Sequence, residues 1–323
     1  MSHRKWVLDW LAGGHLPNDQ LSRALNAAQV YPAAQAWRQF IDRLLLWTGG
    51  LALSVALIFF VAYNWTEMGR WAKFAMLEAA LILTIVGYWR WALRPVVASV
   101  MLMMATLGLG ALLAYFGQTY QTGADPWQLF LYWALLMAPW AIAGRAGVLW
   151  LFLIALLNLT ATLYVHTFRG ILWFFPDVEQ GLLWLFLGLN GTAWCLWELA
   201  SLVFRWQPDR WAVRVLAVAT GTPLTILTIA HLYDDAASLS LWIWLAWIPA
   251  VYSIYRYRLK DLFMLAGGCL SGIVVATAFL SRHLLYNNGG DLFLLMALLV
   301  IGMGAGSATW LRNIHREWSS HDA

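Results

Sequence analysis

From residue 44 onward, apolar residues come in long unbroken runs separated by short polar connections, with neither the strict alternation of a strand nor the narrow stripe of a soluble helix. A helix needs about 20 apolar residues to cross the hydrocarbon core of a bilayer. Ten runs approach that length: 44–63, 72–93, 96–116, 127–143, 148–166, 182–204, 211–233, 239–255, 262–284 and 292–311. The fourth and eighth are the shortest and each carries a proline, Pro139 and Pro249. The pattern predicts an all-α polytopic membrane bundle, and the spacing leaves no connection long enough for a folded domain between spans.

The first 43 residues are patterned differently. Trp6, Val7, Trp10 and Leu11 share one helical face, Gly13-Gly14 predicts a stop, and Pro17-Asn18-Asp19 opens a second helix carrying Leu21 and Leu25. After the break at Tyr31-Pro32, a third helix with Trp37, Phe40 and Ile41 runs into the first span. Two readings fit: a small helical cap, or a basic, Trp-bearing helix lying on the membrane surface. The domain plan is therefore a cytoplasmic helical segment (1–43), a transmembrane bundle (44–311) and a short cytoplasmic tail (312–323). No early apolar stretch has the form of a cleaved leader, so the first span is expected to direct insertion.

Composition sharpens this reading. Of 323 residues, 62% are hydrophobic and 11% charged, with 23 Trp, against about a half and a quarter in soluble domains. A water-soluble enzyme, a disulfide scaffold, a disordered chain and a nucleic-acid binder are all excluded. The net charge of +4 follows from cytoplasmic loops. With the N-terminus inside and ten spans, all of the 20 Lys and Arg fall on the inner side except Arg70, Lys73, Arg169 and Arg282. The positive-inside rule thus predicts an even number of spans with both termini cytoplasmic. Cys195 and Cys269 both lie in apolar runs, where neither a disulfide nor a metal cluster is expected.

Two short motifs end outward-running spans: Phe60-Val61-Ala62-Tyr63-Asn64-Trp65 and Gly117-Gln118-Thr119-Tyr120, the second followed by a Trp-rich span from Trp127 to Trp140. In these the chain resembles the bacterial membrane family called domain of unknown function 2157, over roughly its first 145 residues. The resemblance implies a bacterial inner-membrane, multi-span protein and brings no catalytic residue with it. Asn64, Trp65, Gln118 and Tyr120 are the matching positions; they converge at the outer rim, or serve as helix caps and interfacial anchors.

The candidate chemistry lies inside the spans. Glu78 sits about two turns into the second span, where a lone carboxylate costs a few kcal/mol and must be protonated or paired. It is either a coupling acid or an interhelix hydrogen-bonding group. Glu198 stands near Arg205 and Arg210. Asn158, Thr160 and Thr162, then Asn190 and Thr192, then Thr220, Thr222, Thr225 and Thr228 around Pro223 either line a polar pathway or fasten helices together. Gly268–Gly272 and Gly302–Gly306 are GxxxG patterns, predicting that the last two spans pack on each other or on another chain. His166, His231, Asp234 and His283 gather at outer span ends and are weak metal-ligand candidates without a metalloenzyme motif. The loop 171–176 is an interfacial anchor or plug.

Three functions fit. The leading one is a non-enzymatic membrane protein that transports or binds a small or lipid-like substrate, with Glu78 as coupling acid and no cofactor. The second is a structural or assembly partner in an envelope complex. The third is a metal-dependent lipid-modifying enzyme at the outer rim.

Overall fold

The computed structural model describes residues 7, 10–15, 17–28, 34–64, 66–168, 170–171, 177–203, 209–233, 239–288 and 293–321. Among these residues the chain is helical throughout, without a strand. A 3₁₀ turn, Asn18–Gln20, leads into α1 (Leu21–Ala27). The membrane helices follow as α2 (Ala34–Tyr63), α3 (Arg70–Arg90), α4 (Pro95–Tyr120), α5 (Pro126–Gly144) and α6 (Gly147–Thr167). The remainder are α7 (Val178–Val203), α8 (Arg210–Tyr233), α9 (Leu239–Ser253), α10 (Leu262–Asn288) and α11 (Phe293–His321).

Nine of these are long and apolar enough to cross a bilayer among the described residues. The exception is the eighth expected span. Its α-helical part, α9, has only 15 residues and contains Pro249, and it continues into five π-helical residues, Ile254–Arg258. The Leu259 amide reaches back to the Ile254 carbonyl at 3.0 Å, one residue further than an α-turn spans. At the other end of the chain, the helix that carries Trp37 and Phe40 continues without a break into the first span, as α2 (Ala34–Tyr63). The amides of Gly14 and His15 return to the carbonyls of Leu11 and Trp10, closing the first helix where Gly13-Gly14 predicts a stop.

The chain divides into two compact units, residues 1–123 with 319–323, and residues 124–318. In the first, α4 is central, with α2 and α3 packed against it. The α2–α4 contact depends on Gly50: a Cβ there would stand 2.5 Å from Cγ1 of Val100. Val61, Leu77 and Tyr115 form the shared core.

In the second unit α8 is the hub, touching α6, α7, α9 and α10, while α5 and α6 form a hairpin. Its core joins Trp194 and Trp197 of α7, Val213 and Leu216 of α8, Tyr255, and Met264 and Leu265 of α10. Gly147 allows the start of α6 to approach α8: its amide donates to the Asp209 carboxylate at 3.1 Å, and a Cβ there would be 2.8 Å from that same oxygen. Most membrane hydroxyls, such as those of Thr106, Thr160, Thr220 and Thr228, donate to the carbonyl four residues earlier, so they add no charge or open valence to the bundle.

Candidate functional site

The polar residues of the second unit fall into three clusters. The first is a reciprocal amide pair. Asn158 Nδ2 donates to Asn190 Oδ1 at 3.1 Å, and Asn190 Nδ2 donates to Asn158 Oδ1 at 2.9 Å. Each amide spends its other N–H on its own helix, at Ile154 and Phe186. Both donors of each side chain are used, which is how a structural fastener between α6 and α7 is built.

The second cluster lies where α7, α8 and the π turn meet. The π turn directs Tyr255 inward, almost fully buried, and its hydroxyl donates to Glu198 Oε1 at 2.8 Å. Trp194 Nε1 donates to the same hydroxyl at 3.2 Å, and Arg210 stands 3.5 Å from Glu198. Glu198 therefore meets Arg210 as its charge suggests, while Arg205 lies outside the described residues. Beside it, Asp261 caps α10 by accepting the Phe263 amide. It also holds Arg214 through two bonds, from Nε at 3.1 Å and Nη2 at 3.2 Å. A third ion pair, Arg256–Glu317 at 2.5 Å, ties the π turn to α11. The π turn and Tyr255 are the site features sequence reasoning missed; Pro249, five residues upstream, was the available signal of an irregular helix.

The third element is a groove of about 320 Å³ bounded by α8, α9 and α10, with Trp194 of α7 in its wall. Gly221, Gly267 and Gly268 supply the space; Trp247, Thr222 and Val274 are among its other walls. The surface is overwhelmingly carbon. Thr225 and Ser271 face each other at 2.7 Å, and Trp244 Nε1 donates to Ser271 at 2.9 Å, so these hydroxyls are engaged. Along α8 and α10 the lining runs from Ala217 to Ile229 and from Phe263 to Val274, about 16–18 Å of helix.

The remaining expected residues lie elsewhere. In the first unit the buried charge is Lys73, 4% exposed and 5.8 Å from the Tyr115 ring. Glu78 stands on the opposite, exposed face of α3, with no partner among the described residues. The packed stripe of that helix is Lys73, Leu77, Thr84 and Gly87, and Glu78 is five residues and about 140° off Lys73. Asn64 donates to the Phe60 carbonyl at 2.9 Å, a helix-end cap. Gln118 is exposed, and Tyr120 rests on Phe74 and Phe116. Trp65 is outside the described residues.

Of the two GxxxG expectations, packing of the last two spans on each other does not run through the glycines. α10 and α11 share a core cluster through Met264, Leu265 and Ile314, but a Cβ at Gly268, Gly272, Gly302 or Gly306 would meet nothing within 4 Å. The two helices do not close on their glycines, and Gly268 opens the groove instead. Among the outer-rim candidates, His166 is exposed and His231 Nδ1 sits 2.8 Å from the Leu227 carbonyl and 3.1 Å from Ser240. Asp234, the side chain of His283 and most of the 171–176 loop lie outside the described residues. Among the described residues no group of three or more His, Cys, Asp or Glu side chains is arranged to hold a metal.

The helices and their composition define a multi-pass α-helical membrane protein. Residues 8–150 match the family model described as "Predicted membrane protein (DUF2157)", the region over which the sequence motifs show the resemblance. Neither the curated proteins nor the solved structures yield a match to the chain.

Proposed function

We propose that the second unit binds the hydrocarbon part of a small or lipid-like substrate in the α8–α9–α10 groove, as a binding or transport protein and not as an enzyme. The observation that supports it most is the groove itself: a carbon-lined recess of about 320 Å³ within helices that cross lipid. Glu198 takes the part of coupling acid in this reading, because Trp194 is both a groove wall and the first member of the Trp194–Tyr255–Glu198 chain. The distribution of Lys and Arg supports an inner-membrane protein with both termini inside, which puts the Glu198 end of the groove toward the cytoplasm.

The test uses the full-length protein in nanodiscs of zwitterionic lipid and a chain-brominated dodecanol, which quenches the groove indoles of Trp194 and Trp247. Saturable quenching is expected in the wild type. Gly268→Leu fills the recess from a position where the added Cβ meets nothing, so it should abolish saturation without lowering the melting temperature. Saturable quenching that survives in Gly268→Leu would move the site elsewhere.

A second reading, an assembly partner, is favoured by the α3 face. There Glu78 is exposed with Ala75 and Ala79 next to it, small residues that let a neighbouring helix approach closely. Its occupant would be a second membrane chain that brings a hydrogen-bond donor to the depth of Glu78. Glu78→Gln should leave insertion intact and weaken that association; a stoichiometric neighbour retained in full by the variant would count against it.

A further inference from the structure

We infer that the groove takes an anionic single-chain amphiphile, with its acidic head on Arg214 and its hydrocarbon tail along α8 and α10. This rests on the groove being a binding site and names the class of ligand. Three observations converge on one end of the recess. Phe263 is the terminal lining residue on α10, and the Arg214 guanidinium lies over its ring, 5.5 Å from the centroid. Arg214 precedes Ala217, the first groove residue of α8, by three positions, so it occupies the same helical face one turn below. Its side chain is 42% exposed, whereas its partner Asp261 is 4% exposed.

The chemistry at that end is that of a pre-oriented anion receptor. A guanidinium carries five N–H donors, of which Asp261 engages one at Nε and one at Nη2. The remaining donors have no acceptor among the described residues. Asp261 also accepts the Phe263 amide, so its carboxylate is anchored to the start of α10 and holds the guanidinium over the ring. Arg210 is one turn further down α8, with Glu198 as its ion-pair partner. No Asp, Glu, Lys or Arg lines the recess itself. An uncharged lining that terminates at a half-exposed, fixed arginine matches a molecule with one chain and one negative head, and a planar fork favours carboxylate or phosphate.

The experiment repeats the nanodisc quenching titration with three chain-brominated probes: dodecyl phosphate, dodecanoate and dodecanol. The wild type should bind at least one anion on the order of tenfold more tightly than the alcohol, the worth of one hydrogen bond to a charged group. The tighter of the two anions separates a phosphate lipid head from a free acid. Removing Arg214 alone would strand the buried Asp261, so the informative variant is the uncharged pair Arg214→Gln with Asp261→Asn. It should lose the preference for the anion while binding the alcohol as before, and Arg214→Lys should keep much of the preference. A wild type that binds all three probes equally, or a double variant that still prefers the anion, overturns the head-group assignment and leaves the groove intact. Absence of saturable binding for every probe defeats the groove reading itself.

Discussion

The amide pair between α6 and α7 offers the sharpest test of whether the mid-membrane polar residues are fasteners or a pathway. Substituting Asn190 with Leu removes both cross-helix bonds, 2.9 and 3.1 Å long, and leaves Asn158 with only its bond to Ile154. Interhelix hydrogen bonds in membranes contribute about 0.6 kcal/mol on average and up to about 1.7, so the pair contributes roughly 1–3 kcal/mol. The stranded amide adds a desolvation cost of the same order, and the added Leu carbons recover part of it. Each single Leu variant should therefore lose roughly 2 kcal/mol. The double variant should lose little more than either single, a coupling of about 1–2 kcal/mol between the two sites. Reversible unfolding of the reconstituted protein by titration with sodium dodecyl sulfate reads these differences directly. Strict additivity would mean that the two amides do not act as a unit. A double variant of unchanged stability that has lost substrate binding would refute the fastener and reinstate the pathway.

The remaining predictions are smaller. Gly50→Ala places a Cβ 2.5 Å from a stiff Val100 methyl and should cost about 1–3 kcal/mol by overpacking, whereas Gly302→Ala, with open space around it, should be neutral in a thermal melt of the isolated chain. If Gly302→Ala instead dissociates an oligomer on size-exclusion chromatography, the α11 glycines are contacts between copies. Tyr255→Phe removes the hydroxyl shared by Trp194 and Glu198 and should lower the unfolding free energy by about 1–3 kcal/mol; no change in the unfolding midpoint would show that Glu198 is satisfied without the tyrosine. Gly147→Val should destabilise the α6–α8 contact more than Gly147→Ala, measured by the same titration, because the Asp209 oxygen is already 2.8 Å from the first added carbon.

What was legible in the sequence is what a bilayer imposes on every residue of a span. Nine long apolar helices lie where the runs place them, and the eighth falls short because Pro249 and a π turn interrupt it. Burial of individual groups was less legible, because it depends on which face meets a neighbour. Glu78 stands out in sequence as an intramembrane acid, yet Lys73, which reads as a topological cation, is buried in the first unit, and only the Lys73–Leu77–Thr84–Gly87 stripe hints at it. Asn158 and Asn190 were both singled out, but nothing along the chain says that residues 32 apart bond to each other. Glycines at 267 and 268 look the same in sequence whether they admit a helix or leave a hole, and here they leave a hole.

The π turn at Ile254–Arg258 has a consequence for how this protein can vary. An α-helix advances about 100° per residue, so a one-residue deletion within those five positions does more than shorten the segment. Removal of Ile254 turns Val251, a groove wall, out of phase with Tyr255 and with Arg256, which faces Glu317 on the last helix. Length changes in the connections on either side rotate no such set of partners. Within this fold the surplus residue works as a phase adjuster, and the tolerance of the chain to insertion and deletion should be at its lowest there.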